Sequence, residues 1–496
     1  MRPISSASLT GILTRLRAAS FLSDFSSTFA SRLASKVIMA FVIALAARRL
    51  GPQIFGSYVV IVTYAGMAAA LVDFGLAPYV TRAISEGVPA RRPLLIAASI
   101  RMSICTILVA CAVVAALAWQ IAALRSLPVV YVAASMFIDL LTDLLLAALR
   151  GYGRFNAIAR TTVVRSAGCL LAAPAFVFFR SSLSWLTFAF LVSSVAGLAY
   201  TAWQSRDFLE HFGARKDWDD SASGRESVRS ALGVTWAFGV SGILGTVYMR
   251  LGPAVLARSS GVEAGTYGSA YKVIEAGLFG ASIVCSILVP YLSATRAVSE
   301  DQYRRMVEAC MRLMVIPSFL FANLLIMIAD PLTALLYGPK FSGAGTVLEV
   351  LGIYLLLGAI TGGAQAAILI SMGEMKFVSW LMAAALVIGL LINLLLTPRY
   401  GAVGAAAANC IGEGFVLAAN LLWLERRGLN THARLVVLCV VLTVAGVIAQ
   451  HFPAPAPVLA PLVYAAIFGW KCLKDLRWSV GALSHGRQMM VRLQCS

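Results

Sequence analysis

The stretch FVSWLMAAALVIGLLINLLLT, residues 377–397, contains no charged side chain, and a second apolar stretch at 402–424 follows the turn Pro398-Arg399-Tyr400-Gly401. About 20 apolar residues in a helix are enough to cross the hydrocarbon core of a bilayer. Each stretch therefore predicts one membrane-spanning helix, and the Pro-Arg-Tyr-Gly turn separates the two.

Apolar blocks of this kind recur along the whole chain, which has 496 residues, of which 60% are hydrophobic and 12% charged. Soluble proteins carry about 25% charged residues, so the composition excludes a soluble multidomain enzyme. A backbone in lipid must satisfy its hydrogen bonds internally, which favours helices over irregular structure, and the blocks are too long for barrel strands. The blocks predict about fourteen spanning helices, at 30–47, 55–80, 94–118, 128–149, 160–179, 185–204, 231–251, 266–291, 309–329, 345–370, 377–397, 402–424, 434–450 and 455–472.

The net charge of +18 is explained by loops rather than by a nucleic-acid partner. With a cytoplasmic N-terminus, most of the 40 Lys and Arg residues fall on the cytoplasmic side, as the positive-inside rule requires. Both termini are therefore predicted in the cytoplasm, and the first block is predicted to be an uncleaved anchor. The nine cysteines and four histidines are scattered, so we expect neither a metal site nor a cofactor.

The two halves of the chain carry similar motifs. Gly56-Ser57-Tyr58 precedes Pro78-Tyr79 in the first half, and Gly265-Thr266-Tyr267 precedes Pro290-Tyr291 in the second. A parallel duplication of this kind is a transporter architecture. It predicts these segments: 1–28, a cytoplasmic or interfacial N-terminal segment; 29–205, a first lobe of six helices; 206–230, a cytoplasmic loop; 231–428, a second lobe of six helices; 429–475, an additional helix pair; and 476–496, a basic cytoplasmic tail.

Carboxylates inside the apolar blocks are candidate functional groups, because an ionised side chain in hydrocarbon is costly unless it faces a partner or water. Asp139 and Asp143 lie four residues apart on one face of the fourth span, with Arg101 and Arg165 as candidate partners. Either these aspartates bind a coupling cation or proton, or they form a structural ion pair. Glu413 lies near the middle of the twelfth span.

Basic residues on the first helices of the two halves are candidates for attracting an anion. Lys272 and Glu275 lie three residues apart in the eighth span, Arg250 ends the seventh, and Arg32 and Lys36 begin the first. The alternative for bases near a span end is snorkelling to the membrane surface. Lys272 lies about two turns inside its span, so this alternative is weakest there.

Four motifs resemble one family of transporters. They are RLGPQIFGSY at 49–58, LVDFGL at 71–76, GTYGSAYK at 265–272 and PRYGAVGAA at 398–406. They are similar to motifs of Wzx-type polysaccharide and oligosaccharide flippases, in the polysaccharide-transporter branch of the multidrug/oligosaccharidyl-lipid/polysaccharide (MOP) exporter superfamily. The similarity covers roughly residues 25–425, and many members have only twelve helices.

The resemblance implies an all-α polytopic membrane protein with two pseudo-symmetric six-helix lobes, which alternate access across a bacterial cytoplasmic membrane. The implied substrate is a polyprenyl-diphosphate-linked oligosaccharide, with membrane lipid as surroundings, protons or sodium as coupling ions, and a glycan polymerase and export machinery as partners. Within this picture the candidates for attracting the diphosphate are Arg32, Lys36, Arg250 and Lys272. The candidates for coupling or charge balance are Asp139, Asp143, Glu275 and Glu413.

Three other functions remain open at this point. A fourteen-helix form is similar to lipid II flippases. A cation-coupled multidrug exporter of the same superfamily favours carboxylates over bases in its cavity, against the base-rich set found here. A membrane glycan polymerase is expected to need a large outward loop, and no predicted outward loop exceeds about a dozen residues.

Overall fold

The computed structural model describes residues 6–73, 80–81, 127–152, 154–178, 182–206 and 239–450. Within these ranges the chain is helical and contains no β-strand. Seven of the described helices are long and apolar enough to cross a bilayer. The chain divides into two compact units, Met1–Arg250 (unit 1) and Leu251–Ser496 (unit 2).

The described helices of unit 1 are α1 (Ser6–Asp73), α2 (Leu127–Gly151), α3 (Phe155–Phe178), α4 (Leu183–Gln204) and α5 (Gly239–Met249). The apolar part of α1 covers 39 residues, Leu33–Leu71, or about 58 Å at 1.5 Å per residue, roughly twice the thickness of the hydrocarbon core. It is broken at Gly51, whose φ of 75° lies in the region that favours glycine. The break falls between the predicted spans 30–47 and 55–80.

Helices α2, α3 and α4 pack against one another, and α3 also packs against α1. Threonines fill the contact between α3 and α4, where the buried Thr201 hydroxyl donates a hydrogen bond to the Thr161 hydroxyl at 3.2 Å. Both hydroxyls also lie within hydrogen-bonding distance of carbonyls four residues earlier in their own helices. Small, internally satisfied residues let neighbouring helices approach closely in a membrane protein.

The described elements of unit 2 are α6 (Leu251–Leu256), α7 (Gly261–Val298), α8 (Glu300–Met327), α9 (Ala329–Tyr337), a 3₁₀ turn (Pro339–Phe341), α10 (Ala344–Ala359), a π-helical turn (Ile360–Gln365), α11 (Ala366–Met372), α12 (Met375–Arg426) and α13 (Ala433–Gln450). Side chains cap α7 and α8, since Ser260 accepts a hydrogen bond from the Glu263 amide and Ser299 from the Gln302 amide.

Helix α12 is broken at Gly401, which has φ 55° and ψ −133°. The carboxylate of Glu263 on α7 accepts a hydrogen bond from the Ala402 amide at 2.6 Å, at the first residue after the break. A Cβ atom at position 401 would overlap that carboxylate. Glu263 therefore stabilises the N-terminal end of the second half of α12, where a negative charge is favoured. The predicted turn at 398–401 lies at this break.

For the described residues, the prediction of an all-helical, multi-pass membrane protein is confirmed. The count of fourteen helices, the two six-helix lobes, the segment boundaries and the cytoplasmic position of both termini remain predictions. The third span (94–118), the fourteenth span (455–472), the basic tail (476–496) and nearly all of the loop 206–230 lie outside the described residues.

Candidate functional site

A half-exposed ion pair joins α2 to α3 in unit 1. The Nη2 atom of Arg165 lies 2.5 Å from Oδ2 of Asp139, and the two side chains are 30% and 28% exposed. Of the two bases predicted to neutralise this aspartate, Arg165 is therefore a partner, while Arg101 lies outside the described residues. Asp143, one turn further along α2, is exposed.

Helix α4 holds Arg165 in position. A Cβ atom at Gly197 would overlap the aliphatic stem of Arg165, so only a glycine lets the stem pass α4. The Ser193 hydroxyl donates a hydrogen bond to the Arg165 carbonyl at 2.5 Å. Three helices thus meet at one charge pair. The other carboxylate oxygen of Asp139, Oδ1, is buried, and the Ser194 side chain of α4 also interacts with this carboxylate.

Arg250, one of the bases predicted to attract an anion, lies against α1. Its Nη1 atom donates a hydrogen bond to the Val62 carbonyl at 3.0 Å, and its guanidinium occupies the space that a side chain at Gly66 would fill. Of the two other bases predicted in unit 1, Lys36 is exposed on α1, and Arg32 lies in α1 with a side chain outside the described set.

Lys272 and Glu275 form the ion pair of α7. The Lys272 Nζ lies 2.7 Å from a Glu275 carboxylate oxygen, with side-chain exposures of 27% and 44%. The preceding residue, Tyr271, stacks on the buried Tyr267 with ring centres 5.7 Å apart. Asn409 of α12 donates a hydrogen bond to the Tyr267 hydroxyl at 2.6 Å, so this part of α7 is fixed to α12.

A second polar group lies deeper in unit 2, at the π-helical turn. The Glu413 carboxylate is only 6% exposed and accepts a hydrogen bond from the Thr361 hydroxyl. Further along the same two elements, Asn420 Nδ2 donates a hydrogen bond to Gln365 Oε1 at 3.0 Å. Glu413 lies about 16 Å beyond the break in α12, a distance of about half the thickness of the hydrocarbon core.

The sequence predicts Glu413 as a candidate but gives no role to Thr361 or to the π-helical turn. A pair of glycines beside a threonine and a glutamine, in the stretch ITGGAQ at 360–365, is the only local signal for an irregular helix. Within the described residues no group of three or more His, Cys, Asp or Glu side chains is arranged to hold a metal ion.

The fold of the described helices resembles that of known membrane transport proteins. It is similar to the lipid II flippase MurJ in an inward closed conformation, with a TM-score of 0.68 at 10% identity over 90% of this chain and 99% of that chain. It is also similar to an inward-facing multidrug resistance transporter of the MATE family, with a TM-score of 0.62 at 17% identity over 79% of this chain and 94% of that one.

A MOP superfamily transporter from Pyrococcus furiosus matches with a TM-score of 0.52 at 16% identity, covering 82% of this chain and 94% of that chain. At these identities the similarity shows the fold alone, which is that of MOP transporters. A comparison with curated proteins finds no match.

The family described as "Polysaccharide biosynthesis protein" matches residues 21–296, more than half of the chain. The chain belongs to this family. The resemblance inferred from the motifs at 49–58 and 265–272 is thereby confirmed.

Proposed function

We propose that this protein is a flippase that moves a polyprenyl-diphosphate-linked oligosaccharide across a bacterial cytoplasmic membrane, for the synthesis of a surface polysaccharide such as lipopolysaccharide or exopolysaccharide. The observation that carries the proposal is Lys272, a half-exposed ammonium group inside a spanning helix of a chain that belongs to the polysaccharide biosynthesis family. An alternating-access cycle is the mechanism implied for this fold.

The substrate explains why charged groups occur in these helices. A diphosphate and the sugar hydroxyls cannot cross about 30 Å of hydrocarbon unaided. Fixed cations attract the diphosphate, and the polyprenyl tail stays in lipid. Lys272 and Arg250 are the described side chains that suit this task, with Lys36 exposed on α1 and Arg32 in the same helix.

The partners of these bases are weak enough to be exchanged for a phosphate. Glu275 is 44% exposed, so the ion pair is open to competition from another anion. Arg250 donates to one backbone carbonyl and has five N–H groups in total. A few separate cations with modest partners bind a diphosphate without trapping it.

The carboxylates have a different role in this proposal. Asp139, Asp143, Glu275 and Glu413 balance the positive charge or couple transport to an ion. For Asp139 the contact with Arg165 supports charge balance, and for Glu413 the buried position supports coupling. A glycan polymerase and export machinery are the proposed partners downstream.

The test uses the purified chain in proteoliposomes with a fluorescent polyprenyl-diphosphate-linked disaccharide, whose outer-leaflet fraction is measured by chemical quenching. Lys272→Ala is expected to slow transbilayer movement, because the ammonium inside α7 is lost. The matched control is Lys340→Ala, which removes an exposed lysine at the 3₁₀ turn outside the spanning helices. Equal rates for both variants and the wild type contradict the role of Lys272.

A further inference from the structure

Four polar side chains are buried where α12 packs against the π-helical turn. Thr361 and Gln365 lie near the start and at the end of the turn, and Glu413 and Asn420 lie seven residues apart on α12, hence on one face. All four are at most 7% exposed. Single-turn π-helical insertions frequently occur at functional sites, because they disturb the regular hydrogen-bond ladder of the helix.

The Thr361 hydroxyl has two acceptors and one proton. It contacts the Glu413 carboxylate, and its oxygen also lies 3.3 Å from the Gly358 carbonyl, within hydrogen-bonding distance. A hydroxyl donates one hydrogen bond and accepts others. With Glu413 ionised, Thr361 donates to the carboxylate. With Glu413 protonated, the carboxyl donates to Thr361, which donates to Gly358. Both protonation states are thus satisfied in the same geometry.

The second pair is incompletely satisfied. Asn420 donates to Gln365, yet the Gln365 Nε2 and the Asn420 Oδ1 are buried and have no hydrogen-bond partner among the described residues. One donor and one acceptor are therefore left over, and a single molecule that both accepts and donates hydrogen bonds can satisfy them. Water has this property, whereas a metal cation cannot accept the hydrogen bond of an amide N–H.

We propose that unit 2 contains a proton-exchange site, in which Glu413 takes up and releases one proton, and a water molecule held by Gln365 and Asn420, within two helical turns of Glu413, is one step of the path that delivers it. On uptake, an O–H bond forms on the carboxylate and an O–H bond of a hydronium ion breaks, leaving neutral water. The inference rests on the proposed flippase function, and it specifies the coupling ion as a proton.

Open space adjoins the backbone of both elements beside this site. A Cβ atom at Gly362, in the π-helical turn, would meet nothing within 4 Å, and neither would one at Gly414, next to Glu413. Gly362 is exposed. Of the four polar side chains Glu413 carries the only charge, so a single proton neutralises the set, as a site within the membrane requires.

Other titratable side chains occur on the elements that pack around this site, and a pH effect must be separated from theirs. They include Cys410 on α12, Glu349 and Tyr354 on α10, Tyr267, Lys272 and Glu275 on α7, and Cys310 on α8. The infrared band of a protonated carboxyl group arises from Asp and Glu alone. Glu349, which is buried, is therefore the neighbour whose contribution needs its own control.

The experiment is infrared difference spectroscopy of the full chain in lipid bilayers during a pH titration. The wild type is expected to show a protonated-carboxyl band that disappears as pH rises. Glu413→Gln loses this band, while Thr361→Val shifts its frequency and Thr361→Ser does not. The control Glu349→Gln keeps it. Asn420→Leu keeps the band but slows the exchange of its proton with deuterated solvent. Asn393→Leu, elsewhere on α12, keeps the band and leaves this exchange rate unchanged.

A Glu413→Gln spectrum that matches the wild type throughout the titration overturns the inference. So does sodium, rather than proton, dependence of the wild-type band. This readout is independent of transport. If the band behaves as expected but labelled lipid-linked disaccharide does not move, the proposed function fails and the proton site stands. If the disaccharide moves but Glu413 gives no band, the proton site fails and the proposed function stands.

Discussion

Gly197→Ala adds one methyl group at the place where the Arg165 stem passes α4. The new Cβ would overlap Cγ of Arg165 and lie 2.8 Å from its Cδ. These atoms are in the middle of the side chain, so the stem must move and cannot simply swing its end away. We expect the contact of 2.5 Å between Arg165 and Asp139 to be lost in this variant.

The expected loss of stability is measured against a matched control variant. Gly242→Ala on α5 adds the same methyl where nothing lies within 4 Å. Both variants gain helix propensity of about 0.5–1 kcal/mol, which cancels in the comparison. Overpacking costs about 1–3 kcal/mol. Gly197→Ala is therefore expected to be about 1–3 kcal/mol less stable than Gly242→Ala.

A double-mutant cycle tests whether the loss goes through the ion pair. Asp139→Asn alone removes the charge that Arg165 contacts. Because both changes act on one contact, the combined variant should lose less than the sum, with a coupling of at least about 0.5 kcal/mol. Unfolding in mixed micelles, followed by circular dichroism, measures each free energy. If Gly197→Ala is as stable as Gly242→Ala, Gly197 does not make room for the Arg165 side chain. If its free-energy loss simply adds to that of Asp139→Asn, the loss does not act through the ion pair.

At two further glycines, substitution is expected to affect different properties, namely stability at Gly401 and transport at Gly66. Gly401→Ala forces φ 55° on a side-chain-bearing residue and displaces Glu263, so it should cost about 1–3 kcal/mol in the same unfolding assay, while Gly414→Ala should not. Gly66→Ala meets the guanidinium of Arg250, and the hydrogen bond to Val62 that is lost and the helix propensity that is gained are of similar size, so stability should change by less than about 0.5 kcal/mol. Its transport of labelled lipid-linked disaccharide should nevertheless fall as it does in Arg250→Ala, and an unaffected rate contradicts the role of Arg250.

The features that depend on local sequence could be predicted. The break at Gly401 lies in a turn visible as Pro-Arg-Tyr-Gly, and the pairing of Lys272 with Glu275 follows from their spacing on one helix. The cost of an isolated charge in lipid predicts polar partners for Asp139 and Glu413, and both have such partners in the structure.

The features that depend on which helices face each other could not be predicted. Glu263 contacts a residue 139 positions away, and Thr361 contacts Glu413 across 52 positions. Gly197 matters only because Arg165 of another helix crosses it. Neither the apolar pattern nor local motifs specify such neighbours, and the π-helical turn is set by packing rather than by helix propensity.

The proposed substrate is a lipid-linked glycan rather than a cationic drug. The most direct measurement compares two probes in proteoliposomes of the wild-type chain, a fluorescent polyprenyl-diphosphate-linked disaccharide and a cationic dye. The disaccharide is expected to equilibrate between leaflets faster than in protein-free vesicles, with no accelerated movement of the dye. Transport of the dye alone contradicts the flippase account and supports a multidrug exporter.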